Sequence, residues 1–281
     1  MGTSIRKVGL ALSGGGARGL AHIGVLKIME QEGVPIDCLG GTSMGGLIAA
    51  AYAAGLSPKF MEQEALRMAS FRRLLSLAEL SLPRRGLFEG ESVCEYLAEH
   101  LGDSTFEDLR LPLALVAVDL KSGCEVVLRE GRVVDAVRAT ISLPGIFAPV
   151  ERDGRLLVDG GVLNDLPADV VRRMEADVVI AVDVATASEA MSSLDETFRR
   201  RYVPKGLAST IEVLYRSLTV MMADIHRRRL AEGNPEVVIR PAIPQGVTVL
   251  TGFSRVAEVI AAGEKAAREA LPRIKELLTS A

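Results

Sequence analysis

Residues 37–46 read DCLGGTSMGG and place Ser43 between Gly41 and Gly45. The preceding VPIDCLGG reads as a strand, and the following MGGLIAAAYAAG as an alanine-rich helix closed by Gly55. A serine at such a strand-to-helix corner, spaced G-x-S-x-G, is how many hydrolases present a nucleophile. The glycines permit a cramped turn, the hydroxyl stands above the strand end, and the helix N-terminus supplies N–H groups and positive potential. Met44 N–H is then an oxyanion donor. The competing reading is a serine that merely caps the helix.

The same grammar appears one element earlier. VGLAL (8–12) is a short apolar run ending at SGGG, and LAHIGVLKIMEQEG carries Leu20, Ile23, Val25, Leu26 and Met29 near helical spacing before Gly33 stops it. Two strands that each feed directly into a helix predict a parallel sheet covered on both faces. Further along, LPLALVAVDL and CEVVLREG read as a hairpin, VDAVRATIS as a short helix, and APVERDGRLLVDGG as a second hairpin turning at Asp153-Gly154. PADVVRRMEA reads as a helix, DVVIAVDV as a strand buried on both faces, and 188–205 as a charged loop. A helix over about 207–231, the strand EVVIRP and a helix over about 254–278 complete the pattern. The expected fold is one domain over 1–281, a three-layer α/β/α arrangement with a mostly parallel central sheet and the site above the strand ends.

Composition narrows the function. A chain of 281 residues, 48% hydrophobic, with a net charge of −3 and 4% aromatics, buries a large core. It offers neither the basic field nor the stacking platform that nucleic acid needs. Cys38, Cys94 and Cys124 lack CxxC or His spacing, so neither a disulfide framework nor zinc is suggested. The start MGTSIRKV leaves no room for a signal-peptide core, and no apolar run reaches the roughly 18–20 residues of a membrane span. The expected location is cytoplasmic.

SGGGARG fits G-x-G-x-x-G through Gly14, Gly16 and Gly19. A dinucleotide site also needs an acid at the end of the second strand, where this chain has Gly-Thr-Ser, and Asp37 opens that strand instead. The same glycines suit an oxyanion hole, because Gly14, Gly15 and Gly16 let backbone N–H groups converge without side chains in the way. Arg18 lies in the first helical turn against the macrodipole, so it calls for an acceptor: either nearby carbonyls or a substrate phosphate. No histidine stands in triad position. His22 reads as packing or helix surface, and His226, in ADIHRRRL, as a solvated helix end. Asp159 ends a strand before Gly160 and Gly161, and reads either as a turn aspartate or as a carboxylate able to deprotonate a serine directly.

GGGARG, GTSMG and DGG, in this order and each at a predicted strand end, resemble the patatin-like phospholipase family. That family's pattern is an oxyanion loop G-G-G-x-R/K-G, a nucleophile elbow G-x-S-x-G and an aspartate in D-G-G/A. RATISLPGIFAPV looks like the block that precedes its aspartate, with Thr140 and Ser142 in place of serine and alanine. DGGVLNDLP continues the likeness through Asn164 and Pro167, so it spans roughly 6–185, with weaker similarity in the last helix. The resemblance implies Ser43 as nucleophile, Asp159 as base, and Gly14, Gly15, Gly16 and Arg18 in the oxyanion loop. It further implies hydrolysis of fatty acyl esters of phospholipid or lysophospholipid through an acyl-serine, with no metal or cofactor.

Two rivals stay open: a hydrolase for another acyl group such as a thioester, and a non-catalytic partner-binding protein on the same fold. Two segments are also open. The stretch 66–90, with Leu66, Phe71, Leu74 and Leu75 among Arg67, Arg72, Arg73, Arg84 and Arg85, either packs on the core or makes peripheral contact with anionic membrane. Ile211, Leu214, Leu218, Met221 and Ile225, with Met222 beside them, form a stripe that is expected to pack on the core, the alternatives being an acyl-binding wall or a homo-oligomer contact.

Overall fold

A computed structural model describes residues 6–69, 91–185, 208–249 and 251–279. Its strands are β1 (Val8–Leu12), β2 (Cys38–Thr42), β3 (Leu113–Asp119), β4 (Cys124–Leu128), β5 (Val150–Arg152), β6 (Arg155–Asp159), β7 (Val178–Val182) and β8 (Val237–Ile239). The helices are α1 (Ala21–Gln31), α2 (Ser43–Ala53), α3 (Pro58–Met68), α4 (Glu91–Leu101), α5 (Val133–Thr140), α6 (Ala168–Arg172), α7 (Ala208–Gly233) and α8 (Val256–Thr279).

β1 lies in the middle, parallel to β2 on one side and β7 on the other, and β3 and β8 extend the parallel run. All five β1 residues are buried, because both of its faces are covered. Val8, Leu10 and Leu12 point into the larger core with Ile23 and Leu26 of α1 and Ile260 and Ile274 of α8. Ala11 faces the opposite layer, where Ala168 and Val171 of α6 pack with Leu230 of α7. Each fully buried Leu or Ile contributes about 1.5–3 kcal/mol, so the three layers are held mainly by this two-sided apolar burial.

The antiparallel strands set up the site. β4 runs along one edge of β3, from Leu115 to Asp119. On the other edge β2 comes in parallel and ends with Thr42 opposite Val116, while β6 comes in antiparallel and ends with Asp159 opposite Ala117. Two strands therefore meet head-on along one edge, and their C-terminal residues become neighbours. Both predicted hairpins are present, the second turning through Asp153 (φ 50°) and Gly154 (φ 75°).

Several boundaries differ from the sequence reading. β2 begins at Cys38 because the Asp37 carboxylate accepts the Val8 N–H at 2.6 Å, taking the place of a ladder bond. The helix expected over PADVVRRMEA is the short α6. The apolar stripe of the long helix does not pack throughout: Leu214 and Met221 are 70% and 60% exposed, and Leu218 and Ile225 are half-buried. At 26 residues α7 is about 39 Å long, and at Leu230 it packs against the α6 layer. The charged stretch 188–205 lies outside the described residues, as does 70–90 of the proposed membrane segment, and of the stripe's Ile211 only the backbone is described. At its described edge Leu66 is exposed and Arg67 pairs with Glu64 at 2.7 Å. Among the described residues, no helix is long and apolar enough to cross a membrane.

Candidate active site

Ser43 is the first residue of α2 and adopts φ 53°, a conformation that costs a non-glycine residue about 1–3 kcal/mol. The surroundings hold it there. Its N–H donates to Thr140 Oγ1 at 2.9 Å, and that hydroxyl donates to Val116 O at 2.5 Å. One residue earlier, Thr42 Oγ1 donates to Asn164 O at 2.8 Å. Gly45 is required by close approach, since a Cβ there would strike the carbonyl oxygens of Leu12 and Ser13. The corner is thus the strained elbow expected of a presented serine, not a relaxed N-cap.

Asp159, 2% exposed, stands at the facing strand end. Its N–H donates to Ser142 O at 3.0 Å, and its Oδ1 accepts the Gly161 N–H at 2.8 Å. The Ser43 hydroxyl is near enough to the same carboxylate to favour its charged form. Burial pushes the Asp159 carboxyl up to about 7, with Ser43 and the hydrogen bond from Gly161 opposing and the nearby Asp165 carboxylate adding to the rise. A carboxyl so placed is a proton acceptor matched to neutral pH.

The glycine loop lies directly against the serine: a Cβ on Gly14 would stand 3.2 Å from Ser43 Cβ. Gly14 N–H donates to Asp165 O at 3.0 Å, which makes Gly14 an anchor of the loop. Gly15 (φ 146°) and Gly16 (φ 55°) turn the chain, and no acceptor among the described residues pairs with their N–H groups. Met44, in the first turn of α2, has no intrahelical acceptor. The N–H groups of Gly15, Gly16 and Met44 thus have no backbone acceptor among the described residues. Arg18, 6% exposed, sits in the short 3-10 turn Gly16–Leu20 as a buried cation beside the loop.

Neither nearby histidine is turned to the serine. His22 is fully buried and its Nε2 lies 2.8 Å from Ser13 O, with burial pushing the imidazole down to about 4. His226 is not the solvated helix end that its basic sequence suggests. It is 9% exposed and lies between two carboxylates, because its helical face turns toward the turn after β6. Thr42, Thr140, Asn164 and Asp165 were not legible as site residues. The signal for Thr140 was its β-hydroxyl in the block ahead of the aspartate.

The raised Asp159 carboxyl has a stability consequence. Its folded pKa exceeds the unfolded value of about 3.9, so between about pH 4 and 7 the unfolded chain loses this proton first and stability falls as pH rises. Asp159→Asn should therefore stabilise the fold at pH 8 by up to about 4 kcal/mol, with the gain vanishing near pH 4. Thermal unfolding at both pH values checks this; a variant less stable than the parent at pH 8 would contradict the assignment.

The patatin-like phospholipase model matches residues 10–172. Patatin-like phospholipase domain-containing protein 6 of mouse is 40% identical over 186 residues, which are 65% of this chain and 14% of that protein. An uncharacterised NTE family protein of Mycobacterium bovis is 37% identical over 194 residues, covering 69% of this chain and 53% of its own. The chain thus spans at most about half the length of these relatives. The crystal structure of VipD from Legionella pneumophila superposes with a TM-score of 0.51 at 14% identity, covering 96% of this chain and 67% of that one, and shares the fold. Since the family match runs from β1 through the turn after Asp159 to α6 and takes in more than half of the chain, this protein belongs to the patatin-like phospholipase family.

Proposed function

We propose that this chain is a serine acyl hydrolase that cleaves fatty acyl esters of phospholipid or lysophospholipid with a Ser43/Asp159 dyad. The observation that carries this reading is the meeting of the β2 and β6 ends on one edge of β3, which brings the strained Ser43 beside the buried Asp159 carboxyl. Asp159 takes the hydroxyl proton as Ser43 Oγ attacks the ester carbonyl. The amides of Gly15, Gly16 and Met44 hold the oxyanion, a role worth several kcal/mol in a water-poor site. Collapse expels the alkoxide, which takes the proton from Asp159 and leaves an acyl-serine. Asp159 then deprotonates a water that attacks the acyl-enzyme, and fatty acid departs as Ser43 recovers its proton. The names of the relatives point the same way.

Labelling with a fluorophosphonate, followed by p-nitrophenyl esters from short to long acyl chains, tests the reading. Label at Ser43 and rates that rise with chain length are expected. Thioesters outpacing oxygen esters would favour another acyl substrate, and absence of label a non-catalytic role. The pH profile adds a second check. Activity should rise with pH through about 7 as Asp159 loses its proton. Carboxylate ionisation is nearly athermal, so this limb should hardly move between 15 and 35 °C (roughly the accessible range). A strongly temperature-dependent limb would indicate an imidazole instead.

A further inference from the structure

Three pieces of the site converge on the turn 160–165. Asn164 O accepts from Thr42, next to the nucleophile, and Asp165 O accepts from Gly14 of the glycine loop. Asp159 begins the turn, and positions for a Cβ on Gly161 would lie 3.1 Å from both Asp159 Oδ1 and Asp165 Oδ1. The turn is thus the common anchor of serine, base and loop, and its own position matters to all three.

His226 meets this turn from α7. Its Nδ1 is 3.5 Å from Asp165 Oδ2, and its Nε2 is 3.3 Å from Asp183 Oδ1, just past the end of β7. These are ion-pair separations, and burial opposes the ring's charge while the two carboxylates favour it, the net result being a pKa pushed up to about 10. Asp183 is in turn paired with Arg240 at 3.2 Å, beyond β8. The other charged groups on α7 near His226 are engaged among themselves or elsewhere: Asp224 with Arg227 and Arg228, and Arg229 with Glu125 and Asp169. Asp159 is the remaining titratable group of the turn, and from α1 the buried His22, its imidazole pushed down to about 4 by burial, also faces Asp165 and Asp183. The ring therefore links three elements of the fold, the turn after β6, the end of β7 and the long helix, at a point where a carboxylate next to the base needs a counter-charge.

Resting on the dyad reading above, we propose that His226 is a positioning residue of this site: as a cation keyed to Asp183, it holds Asp165, and through it the turn that places Asp159, Thr42 and Gly14. It also offsets the Asp165 charge that Asp159 would otherwise feel. The two effects have separable signatures. Loss of position lowers turnover, since a misplacement of about 1 Å costs on the order of 100-fold. Loss of the cation makes Asp159 harder to ionise and moves the acid limb to higher pH, whereas loss of the Asp165 charge moves it lower.

The test measures kcat, KM and the acid limb for a short soluble p-nitrophenyl ester with the full chain, in His226→Gln and in Asp165→Asn, after circular dichroism has checked folding. Fluorophosphonate labelling of Ser43 in the parent is read first, because its absence defeats the dyad reading and this proposal with it. With Ser43 labelled, His226→Gln should lower kcat about 10- to 100-fold with KM nearly unchanged, and the two variants should shift the limb in opposite directions. Unchanged kcat and limb in folded variants, or shifts in the same direction, would overturn the proposal while leaving the dyad intact. If neither variant folds, His226 is a support of the scaffold and the positioning role is rejected.

Discussion

Ser43→Ala and Asp159→Asn should each lower turnover of an acyl ester by on the order of 1,000-fold or more, and the double variant should be hardly worse than either single. The expectation follows from the geometry. In the proposed dyad one proton passes between the neighbouring hydroxyl and carboxylate, so removing either leaves the other with nothing to transfer. What remains in all three variants is the binding and the oxyanion stabilisation, which set a common residual rate. Single-turnover and steady-state rates on one soluble ester decide it, with cooperative unfolding as the control. Losses that multiply in the double variant would mean that the two residues act independently and that the proton goes elsewhere.

Gly15→Ala should reduce kcat by about 10- to 1,000-fold, the range for losing an oxyanion donor, with a much smaller change in KM. At φ 146° this backbone is strained for any L side chain, and a Cβ would lie 2.7 Å from Val184 Cγ2. Relief of that contact must move the Gly15 and Gly16 amides, the proposed donors to the carbonyl oxygen as it becomes charged. A transition-state effect is thereby separated from general destabilisation by Gly33→Ala. Gly33 also has a left-handed backbone (φ 65°), but open space surrounds it and it closes a helix far from the chemistry. That control should cost about 1 kcal/mol of stability and leave kcat unchanged. An equal loss in KM and kcat for Gly15→Ala would indicate a binding loop and not an oxyanion hole.

Much of the fold was written in local patterns. The runs 8–12 and 38–42, each followed by glycines and a helical period, led directly to β1-α1 and β2-α2, because strand and helix differ in side-chain period and glycine alone tolerates the corners between them. Asp153-Gly154 announced a hairpin for the same reason: its two left-handed residues are a short-range requirement. Ser43 and Asp159 were singled out by the resemblance that GGGARG, GTSMG and DGG carry together, since alone each also reads as a helix cap or a turn, and nothing in the chain order says that they lie side by side. The adjacency comes from the tertiary arrangement, in which β2 and β6 approach end to end on one edge of β3. Likewise the carboxyl of Asp159 acquires its proton affinity from burial, a property of the whole packed layer. His226 shows the limit most plainly. Its neighbours in sequence are three arginines, which suggest solvent, but its partners in space are Asp165 and Asp183, brought in from two other elements. Periodicity and turn chemistry are local and survive in the sequence alone; charge pairing and desolvation depend on which distant residues the sheet brings together, and only the folded chain decides them.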